Sequence, residues 1–576
     1  MNIFKWMKKN KDILENPWDK YYEKDKRTIE VPDCSIYHYF ERASFAHDDI
    51  VALNYFGTKI TFKDLLKKID ICAKALRSQG VRKGDVVTIC MPNTPEAVIS
   101  FYAVNKIGAI ANIIHPLSSQ EEIKNSIIQT KTVLVIAINL AYATLEAIID
   151  ETDIYKVVIV SAKDSMPSLL GFGYLLTQEL KMNLSKSNEC FIYWDEFFNR
   201  GYSYNASTMV ERDKDDPAIY LHSGGTTGIP KNIVLTNGNV NSVMEQAKII
   251  FPNIGVGDSL LGILPLFHCF GLVVCTCAPL ALGATVILVP QFDAKRFDRL
   301  LRKYKPSIIA GVPTLYEALI TNPYMMNVDM SMVKYVISGG DSLSPEKNKK
   351  VNDFLLEHKC EAHIMQGYGM TETTGPVSIG ALGSDKPGSI GIPLPGNKIK
   401  ILDVETKEEK KTGEIGEICI TGPIVMSKYL DNEKETNNIV FTHEDGNRWV
   451  HTGDLGYMDE DGVLFFVQRL KRMLIVSGYN VYPSYVEEVL LKHPKVQMCG
   501  VIGIPHPYKV QVPKAFIVLK KGVEYSPDLL KDIKDYCSKN LAKYMIPKEF
   551  VFRDSLPKTL IGKVNYRELE KEEQNH

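Results

Sequence analysis

The sequence predicts an α/β protein: a large N-terminal domain of layered, mostly parallel sheets and helices, followed by a small α+β domain. Three observations support this fold class. The 576 residues are more than one ordinary domain contains. Short β-branched runs alternate with amphipathic helical patterns along most of the chain, as in proteins with parallel sheets. Near residue 470 the pattern changes to a final unit of about 100 residues, a size typical of one domain.

The best-defined helix is expected in TFKDLLKKIDICAKALRSQG, where Leu65, Ile69 and Leu76 fall on one face. Thr61 is its expected N-cap and Gly80 its expected C-cap. The runs DVVTIC, TVLVIAI and YKVVIVSA have the length and composition of buried strands, and SSQEEIKNSIIQT has the pattern of a helix. This alternation predicts the layered α/β domain.

Composition argues against several classes of function. Apolar residues make up 45% of the chain and charged residues 24%, which is typical of a soluble globular protein. The formal net charge is −1, so composition gives no support for nucleic-acid binding. The 11 cysteines lack the paired spacing of a zinc site and indicate reduced thiols in a cytosolic protein.

Two segments raise the question of a membrane. Residues 270–289 are apolar over the length of a membrane span, but Pro279 and Gly283 favour a buried helix, a turn and a buried strand. The basic N-terminus MNIFKWMKKNKDILENPWDKYY lacks the apolar core of a signal peptide. A solvated helix is favoured there, and a short amphipathic helix on a membrane surface stays open. The expected location is the cytoplasm, with peripheral contact at the inner membrane surface left open.

The first segment that indicates a binding function is SGGTTGIPK, residues 223–231. It lies between the strand-like runs AIYLHS and NIVLTNGNV. Its glycines allow backbone N–H groups to converge on an anion, and Thr226, Thr227 and Lys231 add donors and charge. The run does not match the Walker A pattern, because proline precedes the lysine and asparagine follows it. The composition therefore indicates a phosphate-binding loop, with a flexible structural turn as the alternative.

This loop resembles the phosphate loop of the adenylate-forming enzymes, the superfamily of acyl-CoA synthetases, peptide-synthetase adenylation domains and firefly luciferase. Seven further motifs follow in the order of the family, and the resemblance extends from about residue 40 to the end of the chain. These motifs are LPLFHCFGL, ISGGDSLSP, QGYGMTETTG, GEIGEICITGP, WVHTGDLGYMDEDG, QRLKRMLIVSGYNVYP and LPKTLIGKVNYREL.

The resemblance implies a reaction in two halves. A carboxylic acid attacks the α-phosphate of ATP to give an acyl-adenylate and pyrophosphate, and the thiol of coenzyme A then displaces AMP. Mg²⁺ would share the neutralisation of the phosphates. The resemblance also implies an N-terminal AMP-binding (adenylation) domain over residues 1–468, a hinge at 469–471 and a C-terminal domain over 472–576. This small domain would be mobile and rotate between the two half-reactions.

The family motifs also imply roles for individual residues. Lys563 would bridge the substrate carboxylate and the α-phosphate, and His268 would gate the acyl site or orient the carboxylate. Glu372 and Thr227 would hold Mg²⁺. Together with Lys563 and His268 they are the catalytic residues that the resemblance implies. By resemblance the nucleotide-binding residues are Ser223, Gly224, Gly225, Thr226, Thr227, Gly228, Lys231, Gly339, Gly340, Gln366, Gly367, Tyr368, Gly369, Thr371, Asp454, Arg469 and Lys563.

The same motifs imply the class of acid. Amino-acid-activating relatives place an aspartate near the LPLFHCFGL motif, and this sequence has no acidic residue there. Since an unpaired ammonium would be costly in such a pocket, an acid with an apolar body is favoured. The stretch LIVSGYNVYPSYVEE looks most like that of bacterial medium- and long-chain fatty-acyl-CoA synthetases. The expected partners are therefore a fatty acid, ATP and coenzyme A.

Three alternatives stay open. A fatty-acyl-AMP ligase would load the phosphopantetheine of an acyl carrier protein, and an aryl-acid CoA ligase would take an aromatic acid. A non-catalytic lipid-binding homologue would keep only the fold. The chain departs from the family pattern at Gln468, His506, Val510 and Gln511, and the last three bear on the thiol acceptor. Chain length, branching of the acid and oligomeric state are not given by the sequence.

Overall fold

The chain forms two compact units of helices and β-sheet, and the predicted α/β fold class is confirmed. The computed structural model describes residues 14–177, 189–222, 231–476, 479–506, 510–558 and 564–574. The first unit contains Met1–Ile399, Ile420–Val450 and Asp461–Val463, and the second contains Lys400–Cys419, His451–Glu460 and Leu464–His576.

The strands are short, as the β-branched runs predict. In chain order, the strands of the described residues are β1 (Val51–Tyr55), β2 (Thr58–Thr61), β3 (Val86–Cys90), β4 (Ile110–Ile113), β5 (Thr132–Ile138), β6 (Lys156–Val160), β7 (Phe191–Tyr193), β8 (Pro217–His222), β9 (Asn232–Thr236), β10 (Ser259–Gly262), β11 (Thr285–Leu288), β12 (Ile308–Gly311), β13 (Tyr335–Ser338), β14 (Ile364–Met370), β15 (Gly375–Ile379), β16 (Ile392–Pro393), β17 (Lys398–Leu402), β18 (Gly416–Thr421), β19 (Lys428–Tyr429), β20 (Val440–Thr442), β21 (Arg448–Met458), β22 (Leu464–Arg469), β23 (Leu474–Val476), β24 (Tyr479–Val481), β25 (Val496–His506), β26 (Val510–Leu519) and β27 (Glu549–Phe552).

The helices separate most of these strands. In chain order, the α-helices of the described residues are α1 (Ile36–Ser44), α2 (Phe62–Ser78), α3 (Pro95–Lys106), α4 (Gln120–Thr130), α5 (Tyr142–Ile148), α6 (Ser168–Thr177), α7 (Trp194–Tyr202), α8 (Asn237–Ile250), α9 (Ala278–Ala281), α10 (Phe297–Tyr304), α11 (Pro313–Thr321), α12 (Pro345–Glu357), α13 (Glu433–Asn437), α14 (Pro483–Leu491), α15 (Pro527–Asn540) and α16 (Tyr566–Gln574).

One sheet of the first unit has eight strands in the order β19-β9-β8-β4-β3-β5-β6-β7. The pairs from β8 through β4, β3, β5 and β6 to β7 are all parallel. Strand β9 returns antiparallel to β8, and the two-residue strand β19 pairs antiparallel with β9. The strands predicted in DVVTIC, TVLVIAI and YKVVIVSA are confirmed as β3, β5 and β6.

The second sheet of this unit has nine strands in the order β16-β15-β14-β13-β12-β10-β11-β1-β2. All pairs from β14 to β1 are parallel, and the pairs at both ends are antiparallel. Phe297, Tyr316 and Val336 belong to the buried core that packs on this sheet. Strand β13 ends at Ser338, which pairs with Gln366, and β14 continues beyond this pair to Met370. Ligand-binding crevices commonly form beyond the carboxyl ends of such parallel strands.

The helix predicted in TFKDLLKKIDICAKALRSQG is confirmed as α2. The Thr61 side chain caps it by accepting a hydrogen bond from the backbone N–H of Asp64. Gly80 lies just beyond the last turn with a φ of +94°, a conformation that glycine adopts without strain. Leu65 and Ile69 are fully buried, so the apolar face predicted from the periodicity is the face that packs against the domain.

The apolar segment at 270–289 lies within the fold of the first unit. It forms a π-helical segment, Phe270–Cys277, followed by α9 and the buried strand β11, which confirms the predicted helix, turn and strand. Gly283 makes the turn with a φ of +77°. Among the described residues, every helix is too short or too polar to span a bilayer.

The C-terminal part of the second unit is a small α+β structure. Its sheet has the order β24-β23-β26-β25, with β27 parallel to β26. Ile517 of β26 packs with α14 and α15 in one buried cluster. The neighbouring Phe516 packs with Leu569 of α16 in another, as expected because successive side chains of a strand point to opposite faces.

Candidate active site

The hairpin of β8 and β9 flanks the predicted phosphate loop. The strands pair antiparallel up to His222 and Asn232, so residues 223–231 connect two strands, as expected from the sequence. Lys231 is described at the start of β9. The other loop residues proposed to contact nucleotide lie outside the described residues, and so does the predicted catalytic lysine: these are Ser223, Gly224, Gly225, Thr226, Thr227, Gly228 and Lys563.

His222 ends β8 directly before this loop. Its Nε2 lies 2.9 Å from Asn112 Oδ1 and 3.3 Å from Ser126 Oγ. Burial lowers the pKa of His222 to about 4. The imidazole is therefore neutral near pH 7 and acts as a hydrogen-bonding group of the sheet.

Four side chains of the first unit form a connected polar group around Tyr429. The Tyr429 hydroxyl donates a hydrogen bond to Glu372 Oε1 at 2.8 Å. Lys231 Nζ lies 4.8 Å from the centroid of the Tyr429 ring and also pairs with Glu435. The Lys231 ammonium lowers the pKa of the Glu435 carboxyl, mainly through this side-chain hydrogen bond. The structure thus links the predicted phosphate-binding lysine to the predicted metal-binding glutamate through one aromatic ring.

Secondary structure fixes both ends of this polar group. Tyr429 belongs to β19 and pairs with Ile233 of β9, two residues after Lys231. Glu372 lies in the 3-10 turn Thr371–Thr373 that follows β14, and its carbonyl accepts a hydrogen bond from the Met426 N–H at 2.9 Å. The turn and the Met426 N–H thus fix the backbone of Glu372, and Tyr429 of the sheet fixes its side chain.

Glu372 supplies a buried carboxylate, the type of ligand that a hard divalent cation prefers. Glu372 is 9% exposed, and the Tyr429 hydroxyl donates a hydrogen bond to its carboxylate. A buried carboxylate oriented by a neutral hydroxyl donor is a ligand that Mg²⁺ prefers. Burial raises the pKa of the Tyr429 hydroxyl, with the Glu372 charge adding to the effect, so the phenol stays protonated and can donate.

The two glycines predicted to leave room for a base, Gly339 and Gly340, directly follow β13, and Gly369 lies within β14. A Cβ at Gly339 would approach the Phe270 ring to 3.0 Å, and Gly340 has a φ of +78°. Gly369 lies against β15, where a Cβ would be 1.7 Å from the Gly375 carbonyl oxygen. A larger residue would force the ring to shift at Gly339 and the backbone to shift at Gly369, and at Gly340 it would be strained by the positive φ.

Gln366 lies at the base of the same β14 segment. Its side chain is buried, and its Oε1 has no hydrogen-bond partner among the described residues. The residue lines a polar cavity of about 120 Å³. Gln366 pairs with Ser338, the last residue of β13. The two glycines come directly after Ser338, so Gln366 is their neighbour. A buried amide oxygen without a protein partner is a candidate acceptor for a bound group.

His268 lies at the entrance of the π-helical segment. It is exposed, and its Nδ1 accepts a hydrogen bond from the Phe270 N–H at 3.2 Å. π-Helical segments are rare and often occur at functional sites. Leu266 and Leu272, on either side of His268 in the chain, belong to the lining of an apolar void of about 10 Å³. This lining contains no charged residue: Ile89, Met91, Ala97, Val98, Phe101, Ile113, Leu266, Leu272 and Thr276.

Within the second unit, Asp454 and Arg469 form a cross-strand pair. They are register partners in β21 and β22, and Arg469 Nε lies 3.4 Å from Asp454 Oδ1. Asp454 is buried, whereas the Arg469 side chain is 59% exposed. The structure therefore brings together the two residues that were predicted to contact the ribose.

Family models match most of the chain. The model described as AMP-binding enzyme matches residues 40–430, and the model described as AMP-binding enzyme C-terminal domain matches residues 485–563. The chain belongs to the AMP-binding enzyme family. The adenylate-forming resemblance predicted from the motifs is thereby confirmed.

Individual relatives of this AMP-binding enzyme match it over nearly the full length. A long-chain-fatty-acid–CoA ligase of Bacillus subtilis (strain 168) is 32% identical over 567 residues, covering 98% of this chain and 99% of the relative. The structure of the anthranilate CoA ligase AuaEII with anthranoyl-AMP has a TM-score of 0.79 at 25% identity, covering 94% and 98%. ATP-bound MatB from Rhodopseudomonas palustris has a TM-score of 0.80 at 25% identity, covering 94% and 99%.

Sequence reasoning missed two residues of the site in this AMP-binding enzyme. Tyr429 and Glu435 complete the polar group around Lys231 and Glu372, but neither was singled out in the sequence. The segment KYLDNEKE that contains them has no periodic pattern and no glycine-rich signature. Its position after the GEIGEICITGP motif is the one signal that could have drawn attention to it.

Proposed function

We propose that this AMP-binding enzyme activates a medium- or long-chain fatty acid with ATP and transfers the acyl group to coenzyme A, releasing pyrophosphate and AMP. The observation that carries the proposal is the 32% identity with a long-chain-fatty-acid–CoA ligase of Bacillus subtilis over 98% of this chain. Residues 267–274 contain no acidic side chain that could pair with a substrate ammonium, which agrees with a carboxylic acid that has an apolar body. The name of the Bacillus subtilis relative gives the same acid class.

We assign the parts of the nucleotide to residues of the family motifs. Lys231 and the loop at 223–228 bind the phosphates, and Thr371 adds a hydroxyl. Gly339, Gly340 and the segment Gln366–Gly369, including Gly367, Tyr368 and Gly369, receive the adenine, with Tyr368 stacking on the base. Glu372 and Thr227 hold Mg²⁺, which when bound neutralises phosphate oxygens. Asp454 accepts hydrogen bonds from the ribose hydroxyls, and Arg469 supports it.

The first half-reaction joins two anions, so positive charge at the reacting atoms decides its rate. Lys563 is assigned to that role, because its ammonium can hold the acid carboxylate and the α-phosphate together. His268 is assigned to orient the carboxylate of the acid. The domain boundaries proposed are 1–468 and 472–576, with the hinge at 469–471.

Coenzyme A is the proposed acceptor, and an acyl carrier protein is the second candidate. The residues that favour a second candidate are His506 and Gln511, which depart from the family pattern. They lie near the end of the β25–β26 hairpin, where His506 pairs with Val510 and Gln511 with Pro505. The proposed location is the cytoplasm, with peripheral contact at the inner membrane surface through the basic N-terminus.

The test measures AMP release with straight-chain acids from short to long and one aromatic acid, each with and without coenzyme A. We expect turnover and acyl-CoA with the longer acids when both substrates are present. Acyl-adenylate that coenzyme A does not discharge would favour the carrier protein. Preference for the aromatic acid would contradict the proposal.

A matched pair of variants tests the assignment of the catalytic lysine. Lys563→Ala should abolish most ATP–pyrophosphate exchange, because the charge at the reacting atoms is lost. Lys558→Ala in the same motif should retain it, since Lys558 is an exposed residue whose backbone pairs with Val564. Equal activity of the two variants would overturn the assignment.

A further inference from the structure

His115 lies two residues beyond the carboxyl end of β4, at the edge of the sheet that leads to the predicted phosphate loop. Strand β8 runs parallel to β4 with Tyr220 beside Asn112, and β8 ends at His222, directly before the loop. Ligands of parallel sheets commonly bind beyond the carboxyl ends of the strands. His115 belongs to none of the family motifs and has no role in the proposed function.

The LPLFHCFGL motif is tied to the same edge of the sheet. Asn93, three residues after β3, donates to the Gly262 carbonyl at 3.0 Å and to the Leu264 carbonyl at 2.9 Å, and it accepts from the Leu266 N–H at 3.0 Å. Strand β3 is a parallel neighbour of β4. The motif and His115 therefore lie at the ends of adjacent strands, and both belong to the first unit.

His115 contacts this motif at Phe267, the residue before His268. The ring centroids of His115 and Phe267 lie 4.3 Å apart at an interplanar angle of 80°, which is an edge-to-face arrangement. Phe267 thus has one histidine against its ring and the other next to it in the chain. The contact places His115 beside the motif to which the carboxylate of the acid is assigned.

The hydrogen bonding of His115 fixes the position of its proton. The Leu117 N–H donates to Nδ1 at 2.9 Å, so the neutral ring carries its proton on Nε2. Burial lowers the pKa of His115, and the charge of Glu122 opposes this effect. The ring is therefore neutral near pH 7, with its Nε2–H as a donor. His268 has the same tautomer when neutral, because its Nδ1 accepts from the Phe270 N–H.

We propose that His115 is a second carboxylate-binding residue, whose Nε2–H donates a hydrogen bond to a carboxylate oxygen of the acid held at the LPLFHCFGL motif. A carboxylate that leaves water needs such donors, and the hydrogen bond orients the acid for its attack on the α-phosphate. The inference rests on the proposed function in one respect, that the substrate is a carboxylic acid bound beside His268. It adds a residue from outside the family motifs to that site.

Two variants separate the donor from the ring. His115→Phe keeps an aromatic ring against Phe267 and loses the N–H. The KM for dodecanoate in ATP–pyrophosphate exchange should therefore rise about 10- to 100-fold, the usual effect of losing a hydrogen bond to a charged group. The KM for ATP should change little. His115→Gln has an amide N–H that can replace Nε2–H, and it should recover most of the loss.

A neutral analogue distinguishes carboxylate binding from a change in the shape of the site. Dodecanol has the apolar chain of dodecanoate, but its hydroxyl accepts a weaker hydrogen bond than a carboxylate does. Its inhibition constant against dodecanoate should therefore change less than about threefold between the wild type and His115→Phe. Equal weakening of the alcohol and the acid would reduce His115 to a packing role and overturn the inference.

His358 is a matched control in the same unit. Its ring stacks on Phe354 with the centroids 4.0 Å apart, and its Nδ1 and Nε2 lie 2.8 and 3.1 Å from the carbonyl oxygens of Phe354 and Met325. His358→Phe replaces a packed histidine in the same way and should keep the wild-type KM for dodecanoate. Thermal unfolding sets an assay temperature at which all variants are folded, and His115→Leu takes the place of His115→Phe if that variant does not fold.

The outcomes separate this inference from the proposed function. A wild-type KM for the acid in folded His115→Phe would overturn the inference, as would equal rises in His115→Phe and His358→Phe. If the wild type turns over only an aromatic acid, the proposed acid class fails. The same variants are then compared with that acid, and a rise in its KM confined to His115→Phe would support the inference, because the aromatic acid also carries a carboxylate.

Discussion

The Tyr429 hydroxyl donates a hydrogen bond to Glu372 at 2.8 Å, while the Lys231 ammonium lies over the ring of the same tyrosine. A single side chain therefore orients the proposed metal-binding carboxylate and the proposed phosphate-binding cation.

Tyr429→Phe should raise the Mg²⁺ concentration needed for half-maximal pyrophosphate exchange by about 10-fold, since loss of a partner that orients a metal ligand typically has that effect. Lys231 keeps its ring contact in this variant. Tyr22→Phe is the control, because Tyr22 is also buried and donates to a carbonyl, that of Pro393, at 2.9 Å. The same Mg²⁺ titration should be unchanged there. Direct Mn²⁺ binding by electron paramagnetic resonance gives a readout independent of turnover, and unaltered binding in Tyr429→Phe would contradict the prediction.

Asp454→Asn should reduce the preference for ATP over 2′-deoxy-ATP. A carboxylate that accepts from both ribose hydroxyls discriminates by about 10- to 100-fold against loss of one of them. The ratio of kcat/KM for the two nucleotides measures this directly. Glu460→Gln, at an exposed position of the second unit, should keep the wild-type ratio. An unchanged ratio in Asp454→Asn would show that Asp454 does not contact the ribose.

Gly369→Ala and Gly367→Ala form a pair that tests the packing of β14. A Cβ at Gly369 would overlap the Gly375 carbonyl oxygen at 1.7 Å, whereas at Gly367 the nearest atom is the Ser378 carbonyl oxygen at 3.4 Å. Gly369→Ala should lower the free energy of unfolding by about 2 kcal/mol or more, as overpacking does. Gly367→Ala should cost less than about 1 kcal/mol. Thermal unfolding in the absence of nucleotide compares them, and equal midpoints would refute the steric argument.

The lowered pKa of His222 leads us to expect that the free energy of unfolding depends on pH. Its pKa of about 4 in the folded protein lies below the ordinary value of about 6.5, so folding favours the neutral ring. Its contribution is fully present above about pH 6.5 and is lost as the pH falls towards 4; over that range it amounts to about 3 kcal/mol. His222→Gln should therefore lose less stability than the wild type between about pH 7 and pH 4.5. Denaturant unfolding at both pH values measures the difference, and parallel losses would contradict it.

Much of the fold could be predicted because its determinants are local. The strands β3, β5 and β6 are continuous β-branched runs, and α2 carries both its N-cap and its apolar face in the sequence. Site residues such as Asp454 and Arg469 could be proposed because each lies in a family motif, and the motifs follow one another in the order typical of the family. Domain boundaries and the nucleotide contacts stay predictions.

The remainder depends on contacts between distant parts of the chain. Tyr429 is 57 residues from Glu372, and Glu435 is 204 residues from Lys231, so no local pattern connects them. Strand β19 has only two residues, too few to show a period of two. The π-helical geometry of Phe270–Cys277 also has no signature that distinguishes it from an ordinary buried helix.

Strand β19 has a consequence for how this protein can vary. Lys428 pairs with Val234 and Tyr429 with Ile233, and successive residues of a strand point to opposite faces. Insertion or deletion of one residue just before β19 would turn the Tyr429 ring away from Lys231 and its hydroxyl away from Glu372, although the composition would scarcely change. Homologous chains that keep these three residues should therefore vary in length elsewhere and hold the spacing between the GEIGEICITGP motif and Tyr429 constant.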